Sequence, residues 1–377
     1  MTLSGFDSMV FGAPGQYLQG PGLLAALGDV VAQHGRRPMV LIDRSLMDSV
    51  LHEVSAGLGP LAADARIVAF DGECTAEAID AASRAGGEAG CDVVLGVGGG
   101  KTIDTAKGAR MALQCPLVIV PTVASNDSPT SRLIVVYDAK HVLVGTRLMA
   151  RSPDVVLVDT SVIARAPARF LRAGIGDAIS KRFEVGQAVR AGGRNFFGGR
   201  GGVTAMAIAQ ACYRVIRDDA RTALADVAER RGSPALERLI EACVLGSGLG
   251  FESGGLSIAH SMLRGFSTEP SLATALHGEQ VAVGLLIQLC AGATPEVPPE
   301  ELIAFYRSIG LPCSLRDLGC TRPLDEVLPA IVERTVRTSP YIGNFEVEVT
   351  ESVLADAVLR ADRLARADSG SAASGSG

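Results

Sequence analysis

A chain of 377 residues exceeds what one hydrophobic core usually organises, so two domains are expected. Hydrophobic residues make up 47% and charged residues only 20%, with 44 glycines and no tryptophan, which excludes a disordered or fibrous chain. A formal net charge of −6 with no long Lys/Arg run excludes the basic footprint of a nucleic-acid binder or of a protein held on an acidic membrane. The eight cysteines are scattered without a C-x-x-C pair, several inside apolar runs such as "EACVLG", and are read as reduced thiols of a reducing compartment. The start "MTLSGFDSMVFGAPGQ" lacks a signal peptide's basic and apolar segments, and no apolar run approaches the ~18 residues of a membrane span. A cytoplasmic protein is the expectation.

In chain order, the first half alternates short apolar runs with amphipathic stretches: "PMVLID" (38–43), "ARIVAF" (65–70), "DVVLGV" (92–97), "PLVIV" (116–120) and "DVVLVD" (154–159). That alternation predicts a parallel sheet covered by helices. Two β-rich runs around Asp138, Ala139 and Lys140 predict a hairpin added to the sheet, making it mixed but mainly parallel. After Pro167 the pattern turns helical, and "LATALHGEQVAVGLLIQL" from Leu272 is apolar nearly all round, as in a helix buried inside a bundle. The expected organisation is therefore an α/β domain over 1–165, a helical bundle over 166–366 and a flexible tail over 367–377, which ends in "SGSAASGSG".

The strongest local signal is "DVVLGVGGGKTIDTAKGA", where a strand ends in Gly98, Gly99 and Gly100 and a helix follows. Glycines let backbone amides approach an anion at a helix N-terminus, where the helix dipole favours negative charge. A phosphate loop of unspecified family and a tight structural turn both fit. The P-loop pattern fails because Leu95 stands where it needs glycine, and the G-x-G-x-x-G pattern fails at Lys101. Asp43, at the end of "PMVLID", is either an acceptor for ribose hydroxyls or the N-cap of a following helix.

Among five histidines, His34, His52 and His141 sit beside charged or turn residues and read as solvated. His260 and His277 lie in apolar helical contexts, where an imidazole needs a partner to offset desolvation, and Asp177 lies in another interior-looking helix. Two imidazoles and a carboxylate suit a catalytic Zn²⁺ with an open position, but no short metal-binding spacing links them, so by the residues alone satisfied core histidines are the favoured reading over a metal site.

Taken together, "FGAPGQYLQGPG", "GVGGGKTIDTAK", "PTVASNDSPTS", "GIGDAISKRFE", "GLGFESGGLSIAHSMLRGF" and "LHGEQVAVG" resemble, in order, the glycerol dehydrogenase branch of the iron-containing alcohol dehydrogenase superfamily. The resemblance runs over nearly the whole chain. It implies a dehydroquinate synthase-like fold, with an NAD-binding α/β domain, a helical metal-binding domain and an active site in the cleft. It also implies that Gly98, Gly99, Gly100 and Lys101 hold the NAD pyrophosphate and Asp43 the adenosine ribose. Thr122, Ser125, Ser131, Leu133 and Tyr137 would make further cofactor contacts, and Asp127 would contact a substrate hydroxyl. Asp177, His260 and His277 would be the metal ligands. The implied reaction is NAD-dependent oxidation of a small polyol, glycerol to dihydroxyacetone, in a homo-oligomer such as an octamer. The iron-using branch carries a further histidine that this chain lacks beyond His277, which favours zinc over iron or manganese.

Three cations depart from the pattern. Arg132 stands where a small residue is expected, and Lys181 and Arg182 follow Asp177 where neutral or aromatic side chains are usual. They either pair with Glu184 or solvent, or attract an anionic substrate such as a 2-hydroxy acid or a polyol phosphate. A dehydroquinate synthase-like cyclase remains a different class of function on the same fold.

Overall fold

The computed structural model describes residues 7–138, 143–292 and 297–373; the expected Ala139–Lys140 turn, His141 and residues 374–377 lie outside the described residues. One unit comprises residues 13–171 and 225–248, and the other residues 7–12, 172–224 and the chain from 249 on.

The first unit is built on β1 (Gln16–Gly20), β2 (Pro38–Asp43), β3 (Arg66–Phe70), β4 (Val93–Gly98), β5 (Leu117–Pro121), β6 (Leu133–Tyr137), β7 (Leu143–Leu148) and β8 (Val155–Asp159). Its helices are α1 (Leu27–Val31), α2 (Leu51–Leu58), α3 (Ala76–Glu88), α4 (Gly100–Leu113) and α5 (Thr160–Ala164). Six strands form one sheet in the order β1-β8-β5-β4-β2-β3, every neighbouring pair parallel. Strands β4, β5 and β8 are buried throughout, because helices cover both faces of a parallel sheet; this is why they read as unbroken apolar runs. Strand β1, "QYLQG", is the one the apolar pattern missed, since it is largely polar and only half-buried. Thr75 caps α3 through the Ala78 N–H at 3.1 Å. Asp159 caps α5 and accepts from the Gly22 and Leu24 N–H groups, tying the loop after β1 to the end of β8.

The expected hairpin forms, but β6 and β7 pair with each other in a separate two-stranded sheet, so the main sheet is wholly parallel rather than mixed. Strand β6 alternates half-buried and buried residues, the mark of a one-sided strand, and the position beside β8 is taken by β1.

The remaining helices are α6 (Ala168–Arg190), α7 (Val203–Ala228), α8 (Pro234–Glu241), α9 (Ser247–Gly254), α10 (Ile258–Phe266), α11 (His277–Ala291), α12 (Pro299–Ile309), α13 (Leu324–Thr338) and α14 (Glu351–Ala373). Composition grouped every residue after 165 together, yet 225–248, with α8, belongs to the α/β unit. Polar bonds tie it there, beside the buried Leu236, Leu239 and Ile240 of α8: Gln19 donates to the Glu237 carbonyl and carboxylate at 2.8 and 2.9 Å, and the Thr160 hydroxyl donates to the same carboxylate at 2.5 Å. Helix α14 runs on to Ala373, inside the segment expected as a tail from 367. No helix among the described residues is long and apolar enough to cross a membrane.

In the helical unit, α6 and α11 cross with backbones in contact. A Cβ on Gly278 would lie 1.8 Å from the Ala173 carbonyl oxygen, and one on Gly176 would lie 2.3 Å from the Gly278 carbonyl oxygen. These glycines neighbour Asp177 and His277, so the close approach sets the separation of those side chains. Gly278→Ala is expected to cost about 3 kcal/mol or more in urea unfolding, because the clash is with backbone that cannot repack. Gly232→Ala, where the added Cβ meets nothing within 4 Å, is expected to stay within about 0.5 kcal/mol.

Candidate metal centre and nucleotide turn

Asp177, from the middle of α6, is fully buried; His260 comes from the first turn of α10 and His277 opens α11. One donor atom from each lies within 4.8 Å of the others. Asp177 Oδ1 is 3.3 Å from His260 Nε2 and 3.8 Å from His277 Nε2. Tetrahedral bonds of about 2.0–2.1 Å put ligand atoms about 3.4 Å apart, so this is metal-ligand spacing. The second Asp177 oxygen, Oδ2, is buried with no hydrogen-bond partner, a costly arrangement unless something else satisfies it. Both observations, with the donor chemistry, fit a divalent metal with three protein ligands.

Glu184 holds this set in shape. Two turns along α6 from Asp177 and fully buried, it accepts from the Ser257 and His260 N–H groups at 2.9 and 3.0 Å, capping the N-terminus of α10. Its other oxygen meets His260 Nδ1 at 2.5 Å and the Ser180 hydroxyl at 3.0 Å. The proton assigned to Nδ1 by this bond turns Nε2 toward Asp177, the arrangement that orients a metal-binding histidine. Burial alone would lower the His260 pKa, but the Glu184 charge and the bonds to Asp177 and Glu184 raise it to about 9. Burial would raise the Asp177 carboxyl; the Lys181 ammonium and the two imidazoles instead hold it well below the usual carboxylate range. Glu184 is likewise lowered, with burial opposed chiefly by His260.

The Lys181 charge acts on Glu184, helping to lower its carboxyl. Lys181, fully buried, forms a salt bridge with Asp177 Oδ1. Arg182 lies over the Tyr213 ring, 4.3 Å from its centroid, and over Phe183. Arg132 is buried and donates to the Met149 carbonyl oxygen at 3.4 Å.

In the α/β unit, Asp43 and Gly98 end the adjacent strands β2 and β4, whose Ile42 and Val97 are register partners. From β2 the chain crosses to β3 on one side, and from β4 to β5 on the other, so these carboxyl ends flank the topological switch point where doubly wound sheets bind ligands. Gly98 has φ +156°, and a Cβ there would meet Thr102 at 2.8 Å. Helix α4 starts after Gly99 with no side-chain cap, leaving its first N–H groups for an anion. Lys101, exposed, pairs with Glu73. Asp43 does act as a local cap, its Oδ1 accepting from Ser45 N and Oγ at 2.9 and 2.6 Å.

The other expected contacts fall near this turn in unequal ways. Thr122 donates its N–H to the Gly98 carbonyl at 3.1 Å, and Ser125 is half-buried in the loop after β5. Ser131 is buried beside the Lys107 ammonium, which also takes the Leu133 carbonyl at 2.7 Å and Asp104 at 3.0 Å; Ser131 and Leu133 therefore tie β6 to α4. Tyr137 donates its N–H to the Cys74 carbonyl. Asp127, nearly buried, accepts from the buried Ser247 hydroxyl at 3.0 Å. Ser247 follows a π-helical turn, Ala242–Gly246, whose Val244 carbonyl accepts from Thr130 at 3.0 Å. Sequence reasoning missed both Glu184 and Ser247 as site residues. Glu184 shares the Asp177 face of α6 and was open to discovery by periodicity; Ser247 carried no local signal.

Glu184→Ala is expected to destabilise the protein by about 3–5 kcal/mol in denaturant unfolding, because a buried charged pair loses one partner and the α10 N–H groups lose their acceptor. Glu184→Gln, which keeps the acceptor, is expected to cost less, while both weaken divalent-metal retention about 10- to 100-fold in a chelator competition.

The family model for iron-containing alcohol dehydrogenase matches residues 14–160. A glycerol dehydrogenase of Thermotoga maritima is 39% identical over 354 residues, 94% of this chain and 96% of that protein. A glycolaldehyde reductase of Halobacterium salinarum is 35% identical, covering 95% of this chain and 98% of its own length. The crystal structure of a probable glycerol dehydrogenase from Sinorhizobium meliloti superposes with a TM-score of 0.90 at 37% identity, covering 96% of this chain and 99% of that one. With relatives this similar over almost its whole length, the chain belongs to the iron-containing alcohol dehydrogenase family of oxidoreductases, in company with glycerol dehydrogenases.

Proposed function

We propose that this protein is an NAD-dependent dehydrogenase of a small polyol, with oxidation of glycerol to dihydroxyacetone as its reference reaction and zinc held by Asp177, His260 and His277. The observation that carries the reading is the converging Asp177–His260–His277 donor set, with Asp177 buried at its base and Glu184 locking the His260 ring, since a merely satisfied pair of histidines does not need three converging donors. When bound, the zinc supplies Lewis acidity that lowers the pKa of a substrate hydroxyl.

The protein's own groups do the rest. Glu184 fixes the tautomer that turns His260 Nε2 inward, and the close crossing of α6 and α11 fixes Asp177 against His277. Asp127, held by Ser247, accepts a hydrogen bond from a neighbouring hydroxyl, which selects a diol or triol over a simple alcohol. The uncapped N–H groups of α4 receive the cofactor pyrophosphate, and the Asp43 carboxylate receives ribose hydroxyls and repels a 2′-phosphate. Thr122, bonded to the Gly98 carbonyl, and Ser125, Ser131, Leu133 and Tyr137 supply the further cofactor contacts, with Ser131 and Leu133 held by Lys107 of α4.

The direct test follows NADH absorbance with glycerol, NAD and zinc. Sustained NADH formation, its loss on chelation, stronger restoration by zinc than by iron or manganese, and a preference for NAD over NADP are expected. No turnover of glycerol at saturating NAD and zinc would remove the substrate assignment, and turnover without net NADH would indicate a cyclase. Asp127→Asn is expected to lower kcat/KM for glycerol about 10- to 100-fold, the worth of a hydrogen bond to a charged group, with a smaller loss for 1-propanol; Ser247→Ala should show the same pattern more weakly.

A further inference from the structure

Lys181 is the one charged side chain of the metal centre that the proposed reaction does not use. It lies one helical turn beyond Asp177 on α6 and is fully buried. Its ammonium bonds Asp177 Oδ1 and the Asp177 carbonyl oxygen, the latter at 3.1 Å, and stands 3.4 Å from His260 Nε2. Asp177 Oδ1 and His260 Nε2 are two of the three donor atoms that converge on the metal position. A buried carboxylate next to two imidazoles needs a positive charge beside it, and in this chain that charge comes from within.

We propose that Lys181 is a resident cation of the ligand set: its ammonium and a divalent metal are alternative occupants of the same Asp177 and His260 atoms. The inference rests on the metal reading above and goes beyond it. Two consequences follow from charge and reach. While the ammonium holds Oδ1, only the unpartnered Oδ2 is left for a divalent ion, which would then stand close to both the ammonium and His260 Nε2, so repulsion opposes metal entry until the lysine head group moves away. The displaced head has somewhere to go, because its stem has four flexible carbons and the face of Phe251 already lies 5.8 Å from Nζ. In the metal-free protein, Lys181 therefore keeps Asp177 and His260 in ligand geometry and neutralises the buried carboxylate. In the metal-bound protein it lowers affinity, since every binding event must first break the Lys181–Asp177 pair.

The test compares the full-length protein with Lys181→Met and Lys181→Gln, each purified with zinc present so that folding does not depend on the lysine, and then stripped. Zinc uptake is measured by competition with a chromophoric chelator, and thermal unfolding is measured on stripped and zinc-loaded samples. Both variants are expected to bind zinc at least tenfold more tightly than the parent. Their stripped forms are expected to melt several degrees lower, with zinc restoring the parent's value. The double variant Asp177→Asn with Lys181→Met, which removes both charges, is expected to recover the stripped melting temperature. Zinc affinity unchanged or weakened in the single variants leaves the metal reading standing and overturns the resident-cation inference. No zinc uptake by the parent or either variant removes the metal reading itself, and this inference with it.

Discussion

The buried carboxylate of Glu184 is the constraint on which the helical unit's chemistry depends. A charge with no solvent must be met by donors, and here it meets the two N–H groups at the start of α10, the His260 ring and the Ser180 hydroxyl. Each of those bonds has a second effect. Capping α10 fixes where that helix begins, and therefore where His260 stands; bonding Nδ1 fixes which ring nitrogen is offered inward. Stability and site geometry are the same interaction seen from two sides.

A second constraint acts through the absence of side chains. Gly176 and Gly278 let α6 and α11 approach until backbone touches backbone, which carries Asp177 and His277 to within ligand distance. Larger residues would push the helices apart and open the set. Around it lie mutually balancing charges, with Asp177 and Glu184 against Lys181 and a His260 whose affinity for protons is raised. A metal entering this group would join an arrangement in which Lys181 already holds Asp177 Oδ1 and Oδ2 is left without a hydrogen-bond partner.

The α/β unit solves a different problem with backbone alone. Parallel strands β2 and β4 end side by side, and the chain leaves them in opposite directions, with the loop after β5 lying against the turn at the end of β4. Gly98 turns the chain in a conformation closed to other residues, and α4 begins with its N–H groups uncapped. Lys107, buried under the turn and bonded to Asp104 and the Leu133 carbonyl, holds β6 against α4. The π-helical turn before Ser247 similarly places a hydroxyl on Asp127.

Much of this was legible in the chain itself. Five of the six strands of the main sheet read as apolar runs; in β2, β4, β5 and β8 burial on both faces leaves no room for polar residues, while β3 is a half-buried edge strand. The helical half shows the 3.6-residue period of one-sided burial. The ordered motif blocks were enough to mark the family and to single out Asp177, His260 and His277. Strand β1 escaped because a half-buried edge strand can be polar, and the grouping of 225–248 with the α/β unit escaped because it rests on the bonds of Glu237 rather than on composition. The i,i+4 spacing already allowed Lys181 to share the face of Asp177, but only the tertiary structure decided that Arg182 stacks on Tyr213, that Glu184 serves His260, and that Ser131 supports Lys107. Local sequence specifies which residues are buried through periodicity, but the partner that satisfies a buried charge is chosen by which helices cross, and that information is spread over residues far apart in the chain.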